Sequence, residues 1–191
     1  MDRRSFLRTS ALGGAAAATT TLAAPAYAQG NRTLTMVTSV PDGFAIFDDA
    51  AQMAATIITE MTDGQLTIEK MPAGSLVGAF EVFDAVSAGQ ADLYHSAEYY
   101  FLNQHPGFAF FTAVPFGMTG VEMLAWYYHK GGMQQHHELS ELFNLKTFLC
   151  GNTAMQPGGW FNTELTSAED LQGLRFRMPG QGGQVLGVLG A

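Results

Sequence analysis

The sequence predicts an α/β fold, because segments with the period of a strand alternate with segments with the period of a helix. Residues 33–40 and 65–71 alternate polar and apolar side chains, and 91–95 is expected to be a third strand. Residues 44–61 and 80–89 lie between them and repeat apolar side chains as amphipathic helices do. Strands separated by single helices pair in parallel, so the first half of the chain should form a parallel sheet covered by helices.

Turn-forming residues separate these elements. A Pro-Asp-Gly run ends the first strand, Asp63-Gly64 ends the first helix, and a Pro-Ala-Gly-Ser loop follows the second strand. Small molecules bind open α/β sheets beyond the carboxyl ends of the strands. The expected ligand edge is therefore formed by residues 39–44, 72–75 and 95–100.

Further strands and helices are predicted after residue 100. Strands are expected at the apolar runs 108–114 and 146–151 and at the alternating residues 174–178. The apolar periodicity of 121–130 and 134–143 predicts helices.

The last segments resemble the beginning of a domain. Thr166 followed by Glu169 is a capping pattern, so a short helix should begin there and end before Gly173. Residues 179–183 are rich in glycine, which indicates tight turns, and they lead into an apolar run that stops at Ala191. We therefore expect the chain to be an N-terminal fragment of a longer protein.

The amino-terminal 28 residues have the pattern of an export signal. Two adjacent arginines precede an apolar Phe-Leu pair, an apolar run spans 11–24, and Ala26-Tyr27-Ala28 suits cleavage before Gln29. The arginine pair favours the twin-arginine route. An ordinary secretory signal or a membrane anchor is the alternative, but the run is short and lacks a stop-transfer flank. We expect removal of residues 1–28 on export to the periplasm.

The composition is that of an acidic domain without a nucleic-acid-binding pattern. The chain has nine Lys and Arg against 17 Asp and Glu, and without residues 1–28 these counts become six and 16. Nucleic-acid binding needs clustered basic residues, and none of the six forms a run. The single Cys150 excludes an internal disulfide, and its apolar neighbours predict a small core residue rather than a reactive thiol.

Several segments resemble the solute-binding proteins of TRAP transporters. The resemblance runs from Thr33 to Ala191, and its specific part is the Leu-Arg-Phe-Arg-Met-Pro-Gly segment. The segments that carry it are 84–93, 115–119, 158–161 and 170–180. Within the family the chain is most similar to the branch that binds 2-oxo acids and related monocarboxylates, on the basis of Tyr99-Tyr100, His105-Pro106, Gly151-Asn152 and residues 156–161.

Members of that family are two-domain α/β proteins that close like a clamp on an organic acid and deliver it to a sodium-driven membrane permease. The resemblance implies a periplasmic-binding-protein-like clamp, with most of the first domain at 29–150 and the truncated start of the second at 151–191. It implies no catalysis, a small carboxylate such as pyruvate as the ligand, and TRAP permease subunits as partners. A homodimer of the full-length form, as in some relatives, is left open. No cofactor is implied beyond a sodium or calcium ion beside the ligand.

The resemblance assigns ligand contacts to individual residues. Arg177 matches the arginine that pairs with the ligand carboxylate, and Gln156 matches a glutamine that also helps to hold the cation. The other cation ligands would lie beyond residue 191. Asn152 and Tyr100 are expected in the same substrate-binding set, Tyr100 as a wall of a small apolar pocket. Pro157 departs from the branch, which usually has an unbranched apolar residue there, so the pocket edge is expected to differ.

The chemistry of Arg177 supports its role independently. A guanidinium donates two parallel hydrogen bonds to a carboxylate and stays charged at physiological pH, which lysine does not reproduce. On an alternating strand, Arg175 and Arg177 share the face opposite to Leu174, Phe176 and Met178. The pattern alone therefore leaves open that both arginines are solvated on an edge strand.

Other constellations have simpler interpretations. His129, His136 and His137 could be read as a metal site, but adjacent helical residues point about 100° apart, so a solvated helix face is preferred. The glycines of 180–183 lack the lysine and the spacing of a phosphate-binding loop. The aromatic residues at 126–128 are interpreted as core.

An exported enzyme, such as a hydrolase acting on small acids or esters, is the alternative function. Ser39, Asp92 and His95 could be written as a triad, yet no serine lies in a Gly-x-Ser-x-Gly elbow. A further alternative is an inactive truncated product, because closing a clamp needs both domains.

Overall fold

The sheet consists of parallel strands in the computed structural model, which describes residues 30–154 and 156–191. The predicted export signal at 1–28 lies outside these described residues. β1 pairs in parallel with a neighbour on each side, in the order β2-β1-β3. The predicted parallel α/β sheet is therefore confirmed. The strands are β1 (Arg32–Thr38), β2 (Leu66–Met71) and β3 (Leu93–His95).

Helices cover both faces of this sheet, because consecutive residues of β1 point to opposite sides. Met36 packs in one hydrophobic cluster with Ala51 of the helix between β1 and β2. Val37 packs in another with Phe83 of the helix between β2 and β3. Both crossover helices were predicted. They are α1 (Phe47–Met61) and α2 (Val82–Ser87).

The elements after β3 are helical. The helices predicted at 121–130 and 134–143 are confirmed, and Thr119 and Glu122 form a reciprocal capping box at the start of the first. None of the described helices has both the length and the hydrophobicity of a membrane-spanning segment. The α-helices are α3 (Gly120–His129), α4 (Gly132–Glu141) and α5 (Gly180–Val188), and the 3-10 helices are Glu98–Phe101, Pro106–Phe111 and Ala168–Leu171.

The strands predicted after residue 100 are wrong for the described part of the chain. Residues 108–114 begin inside the 3-10 helix Pro106–Phe111, where proline occupies the first turn and favours a helical start. Residues 146–151 and 174–178 have no strand assignment in the described structure. Burial still alternates along 174–178, but a strand also needs a hydrogen-bonded neighbour, which the side-chain pattern does not report.

Local caps also differ from the prediction. The capping box of the 3-10 helix Ala168–Leu171 joins Ser167 to Asp170, not Thr166 to Glu169. The Asp170 carboxylate accepts hydrogen bonds from the backbone amides of Thr166, at 2.8 Å, and of Ser167, at 2.9 Å. The glycines at 180–183 lie in the first turn of α5 and not in a tight turn.

Two predicted environments are corrected by packing. Cys150, expected in the core, is exposed, with its Sγ 3.7 Å from the carbonyl oxygen of Ala50 at the edge of an apolar groove along α1. His136, expected on a solvated helix face, is only 2% exposed, because α4 packs this face against α3 and the 3-10 helix Pro106–Phe111. Of the aromatic residues interpreted as core, Tyr127 is buried but Tyr128 is 53% exposed.

Candidate functional site

The loops at the carboxyl ends of the strands meet at one edge of the sheet, as predicted. The hydroxyl oxygens of Ser39, after β1, and Ser96, after β3, lie 2.6 Å apart. The backbone amide of Ala73, after β2, donates to the carbonyl of Val40 at 3.0 Å. Chain segments that follow three different strands therefore form one continuous polar rim, in the position where open α/β sheets bind small molecules.

A charged cluster lies at the same edge. The Lys70 ammonium group, at the end of β2, donates to Asp42 at 2.7 Å and also to Asp48. Asp48 further accepts from the Gly43 amide at 2.9 Å. The hydrogen bond from Lys70, with that from Gly43, lowers the pKa of Asp48. The cluster ties the loop after β1 to β2 and so stabilises the shape of the rim.

Replacing Asp48 with Asn should destabilise the protein at neutral pH and much less in acid. The folded-state pKa of Asp48 lies below its ordinary value of 3.8, so its contribution is present above that pH and is lost as the pH falls through the lowered pKa. We expect the urea midpoint of Asp48→Asn to lie roughly 0.5 M below that of the unmodified protein at pH 7. The gap should narrow at pH 3, and an equal gap at both pH values would contradict this assignment.

Ser39, Asp92 and His95, discounted above as a hydrolase triad, do not form one at this rim. The Ser39 hydroxyl pairs with Ser96, and the Asp92 carboxylate accepts from the backbone amide of Thr35 at 2.9 Å. Burial lowers the pKa of His95, although the nearby negative charge of Asp48 raises it in part. The imidazole is therefore neutral near pH 7. In the part of the chain that the structure describes, no hydrogen bond joins His95 to Ser39 through their side chains.

An aromatic wall follows β3. Tyr99 and Tyr100 lie on the 3-10 helix Glu98–Phe101, with ring centroids 4.7 Å apart in an edge-on arrangement. The Tyr100 ring also packs edge-on against Phe80, at 5.1 Å. Burial, with the neighbouring Tyr100, raises the pKa of Tyr99 well above its ordinary value. Both side chains are half-buried, so they form a fixed apolar surface with polar tips.

Arg177 lies over this wall. Its guanidinium carbon is 5.7 Å from the centroid of the Tyr100 ring, within the range of a cation-π contact. Gly180, three residues later in the chain, packs against Tyr99. A Cβ at this position would lie 3.0 Å from the Tyr99 Cβ, so the absence of a side chain allows the backbone to approach the wall. Arg177 is exposed, and no carboxylate of the described residues lies within 4 Å of it. Its hydrogen-bond donors are therefore available to an acid.

The structure brings together only part of the predicted site. Arg177 and Tyr100 are in contact, as described. Asn152 instead packs beside Gly120 at the start of α3, and its Oδ1 accepts from the Ala154 amide at 2.7 Å. The side-chain amide of Gln156 donates to the Thr153 hydroxyl at 2.9 Å, and both Asn152 and Gln156 are exposed. Their roles in binding stay predictions.

Few candidate ligands for a cation are found among the described residues. The described residues include no group of three or more His, Cys, Asp or Glu side chains arranged to hold a metal ion. Gln156 fits as a single oxygen ligand, because its amide nitrogen is used by Thr153 and its Oε1 can face a hard cation. His129, His136 and His137 form no such site, since His136 is buried among aromatic side chains.

Two features of this edge were not predicted. The sequence predicts Phe80 only as a helix residue, whereas in the structure it packs against the Tyr100 ring. The sequence predicts Lys70 only as a strand residue, whereas in the structure it pairs with both carboxylates of the charged cluster. A lysine near the end of a half-buried strand was the available signal, since buried ammonium groups require acidic partners.

Comparisons with known proteins agree on one family. The model of the bacterial extracellular solute-binding protein, family 7, matches residues 36–191. A monocarboxylate 2-oxoacid-binding periplasmic protein of Nostoc sp. is 41% identical over 155 residues, which are 81% of this chain and 42% of that protein.

Solved structures give the same result. A TRAP periplasmic solute-binding protein from Colwellia psychrerythraea with bound calcium and pyruvate has a TM-score of 0.82 at 39% identity, over 84% of this chain and 49% of that one. One from Pseudoalteromonas atlantica with bound sodium and pyruvate has a TM-score of 0.81 at 41% identity, over the same shares of the two chains. The chain thus spans about half the length of the relatives that it matches.

Proposed function

Because the chain belongs to family 7 of the bacterial extracellular solute-binding proteins, we propose that it captures a small organic acid in the periplasm for a sodium-coupled TRAP transporter. The observation that carries this proposal is the Arg177 guanidinium, exposed and held over the Tyr100 ring. A planar, permanently charged fork beside an aromatic wall suits a ligand with a carboxylate at one end and a small apolar body.

The proposed ligand class is the 2-oxo acids, with pyruvate as the first candidate. The relatives with bound pyruvate are about 40% identical to this chain and match its fold closely. Arg177 would pair with the carboxylate, and Tyr100 would limit the length and shape of the acid that fits against it. Asn152 would supply an additional polar contact. Selectivity would then come from the wall, since the arginine alone accepts any carboxylate.

A sodium or calcium ion is proposed to accompany the ligand. Gln156 would contribute its Oε1 as one oxygen ligand, and the ligand carboxylate would contribute another. The ion would neutralise charge beside the acid. Its other ligands are not assigned to the described residues, which include no group of three or more His, Cys, Asp or Glu side chains able to hold a metal ion.

The remaining parts of the proposal concern location and partners. We expect an export signal at residues 1–28, a first domain at 29–150 and the beginning of a second at 151–191. The protein would act without catalysis, and its partners would be the TRAP permease subunits and, in the full-length form, a second copy. An acidic chain with no run of basic residues is compatible with this role and not with nucleic-acid binding.

Thermal melting tests the proposal most directly. The protein, expressed from its complete reading frame, is melted with pyruvate, other 2-oxo acids, lactate, C4-dicarboxylates or sugars, each with sodium or calcium. A ligand at a hundredfold excess over its Kd should raise Tm by about 5–10 °C. We expect this rise for one monocarboxylate class and only with a suitable cation. A cooperative melt that no acid shifts would refute the proposed ligand class.

A further inference from the structure

A polar cluster is buried beneath the aromatic wall. Glu98 begins the 3-10 helix that carries Tyr99 and Tyr100, and its Oε1 lies 3.6 Å from Nε2 of His136 on α4. The Tyr94 hydroxyl donates to the same Glu98 oxygen at 3.1 Å. His136 is 2% exposed, and the Glu98 side chain is 13% exposed. A carboxylate is therefore taken out of water with one hydrogen bond, from Tyr94, and with the His136 imidazole at ion-pair distance. Glu98 Oε2 and His136 Nε2 have no hydrogen-bond partner in the described structure.

The ring of His136 is held in one orientation. It stacks on Phe111 with ring centroids 4.1 Å apart and an interplanar angle of 7°. On its other edge, Nδ1 lies 3.3 Å from the Tyr127 hydroxyl. These contacts come from the 3-10 helix Pro106–Phe111 and from α3, so the imidazole connects three segments of the chain.

The tyrosines beside Glu98 and His136 are neutral. Burial, with the nearby Tyr128, raises the pKa of Tyr127 to about 12, and burial also raises that of Tyr94 well above its ordinary value. Both hydroxyls stay protonated at neutral pH. The Tyr127 hydroxyl pairs with Nδ1 of His136, and Nε2 is the nitrogen that faces Glu98.

The helix that bears the wall is restrained differently at its two ends. It is four residues long, and its N-cap residue, Ala97, forms no side-chain cap. The backbone amide of Tyr99 is held by the Thr112 hydroxyl at 3.2 Å, and that of Tyr100 by the Ala97 carbonyl at 3.0 Å. A single turn of 3-10 helix has little stability of its own. Phe101 holds the end of this helix in the core, 4.9 Å from Phe83 between ring centroids, and the Glu98 side chain connects its beginning to α4.

We propose that Glu98 and His136 are positioning residues for the carboxylate site: they anchor the 3-10 helix Glu98–Phe101 from beneath and so place Tyr100 where it meets Arg177. Neither residue is assigned a contact with the ligand. The ligand-binding consequence rests on the proposed function above, whereas the anchoring itself does not.

Hydrogen exchange of the full-length protein, measured by mass spectrometry, tests the anchoring without any ligand. The variant His136→Phe keeps a ring to stack on Phe111 and removes both nitrogens. We expect backbone amides of residues 98–101 to exchange about tenfold faster, while the amides of β1 exchange at the unmodified rate. Pyruvate affinity, measured by calorimetry in the cation-containing buffer, should fall about tenfold as well.

Matched variants separate positioning from general destabilisation. His137→Phe makes the same change one residue later, where the ring pairs with the Thr147 carbonyl at 2.7 Å and not with Glu98. It should leave the exchange of residues 98–101 unchanged relative to β1. His136→Gln keeps a side-chain N–H for Glu98 and should restore most of the protection and affinity. If His136→Phe does not fold, Glu98→Ala, which removes the anchor from the helix side, takes its place with the same expectations.

Each outcome decides the proposal. Faster exchange confined to residues 98–101, reversed by His136→Gln, supports it. Unchanged exchange there, or an equal increase throughout the sheet, overturns it. If the unmodified protein binds no carboxylate, the proposed function fails, and the exchange data still decide whether Glu98 and His136 anchor the helix.

Discussion

Replacing Arg177 with Met is expected to abolish capture of the acid without unfolding the protein. Arg177 is exposed and pairs with no carboxylate of the described residues, so the fold loses only a cation-π contact with Tyr100. The bound carboxylate, in contrast, loses its charged partner. Truncating one side of a desolvated charge pair costs about 2–5 kcal/mol, which corresponds to a loss of affinity of about 30- to 5,000-fold.

Arg175→Met is the matched control for this experiment. Arg175 is also exposed and lies two residues earlier on the same alternating segment, but no contact with the aromatic wall is found for it among the described residues. We expect its Kd for pyruvate to stay within about threefold of the unmodified value. Calorimetry gives the affinities, and circular dichroism confirms the fold. Micromolar affinity retained in Arg177→Met would remove Arg177 from the site.

Replacing Phe83 with Ala should be strongly destabilising. Phe83 is 1% exposed and packs against four other rings, with centroids 4.9 to 6.1 Å away. It lies on α2 and joins the sheet to the 3-10 helices and to the end of α4. The missing ring leaves a cavity that such a rigid aromatic cluster cannot fill by collapse. We expect the free energy of unfolding to fall by about 3–5 kcal/mol.

Urea denaturation of Phe83→Ala and Phe116→Ala provides the comparison. Phe116 is fully exposed, so the same substitution removes no buried area and should change the free energy of unfolding by less than about 0.5 kcal/mol. An equal loss in the two variants would mean that the ring cluster does not form the core. An unchanged midpoint in Phe83→Ala would have the same meaning.

Short-range patterns predicted the regular half of the fold well. The strands and the helix α1 lie within a few residues of their predicted ends, because amphipathic periodicity is a property of neighbouring residues. Parallel pairing followed from the alternation of strands and helices. The segment 174–178 marks the limit of this reasoning. Its side chains alternate in burial as predicted, yet it is not a strand in the described structure, because pairing depends on a second segment.

Single-residue environments depended on packing between elements. Cys150 was predicted in the core from its apolar neighbours, but it lies at the edge of a groove along α1 and is exposed. His136 was predicted in solvent, but its helix turns it towards Phe111 and Tyr127. Which face of a helix is buried follows from its partner helices, and adjacent residues such as His136 and His137 can therefore lie in different surroundings.

Residue order alone established the strand and helix alternation, the edge of the sheet where the loops converge, and the motif that contains Arg177. Tertiary structure established that Arg177 lies over Tyr100 and that Glu98 and His136 meet beneath that wall. The physical reason is range. Periodicity and turn chemistry act over a few residues and are visible in a single sequence, whereas a site is formed by side chains far apart in the chain, whose meeting depends on how the elements pack.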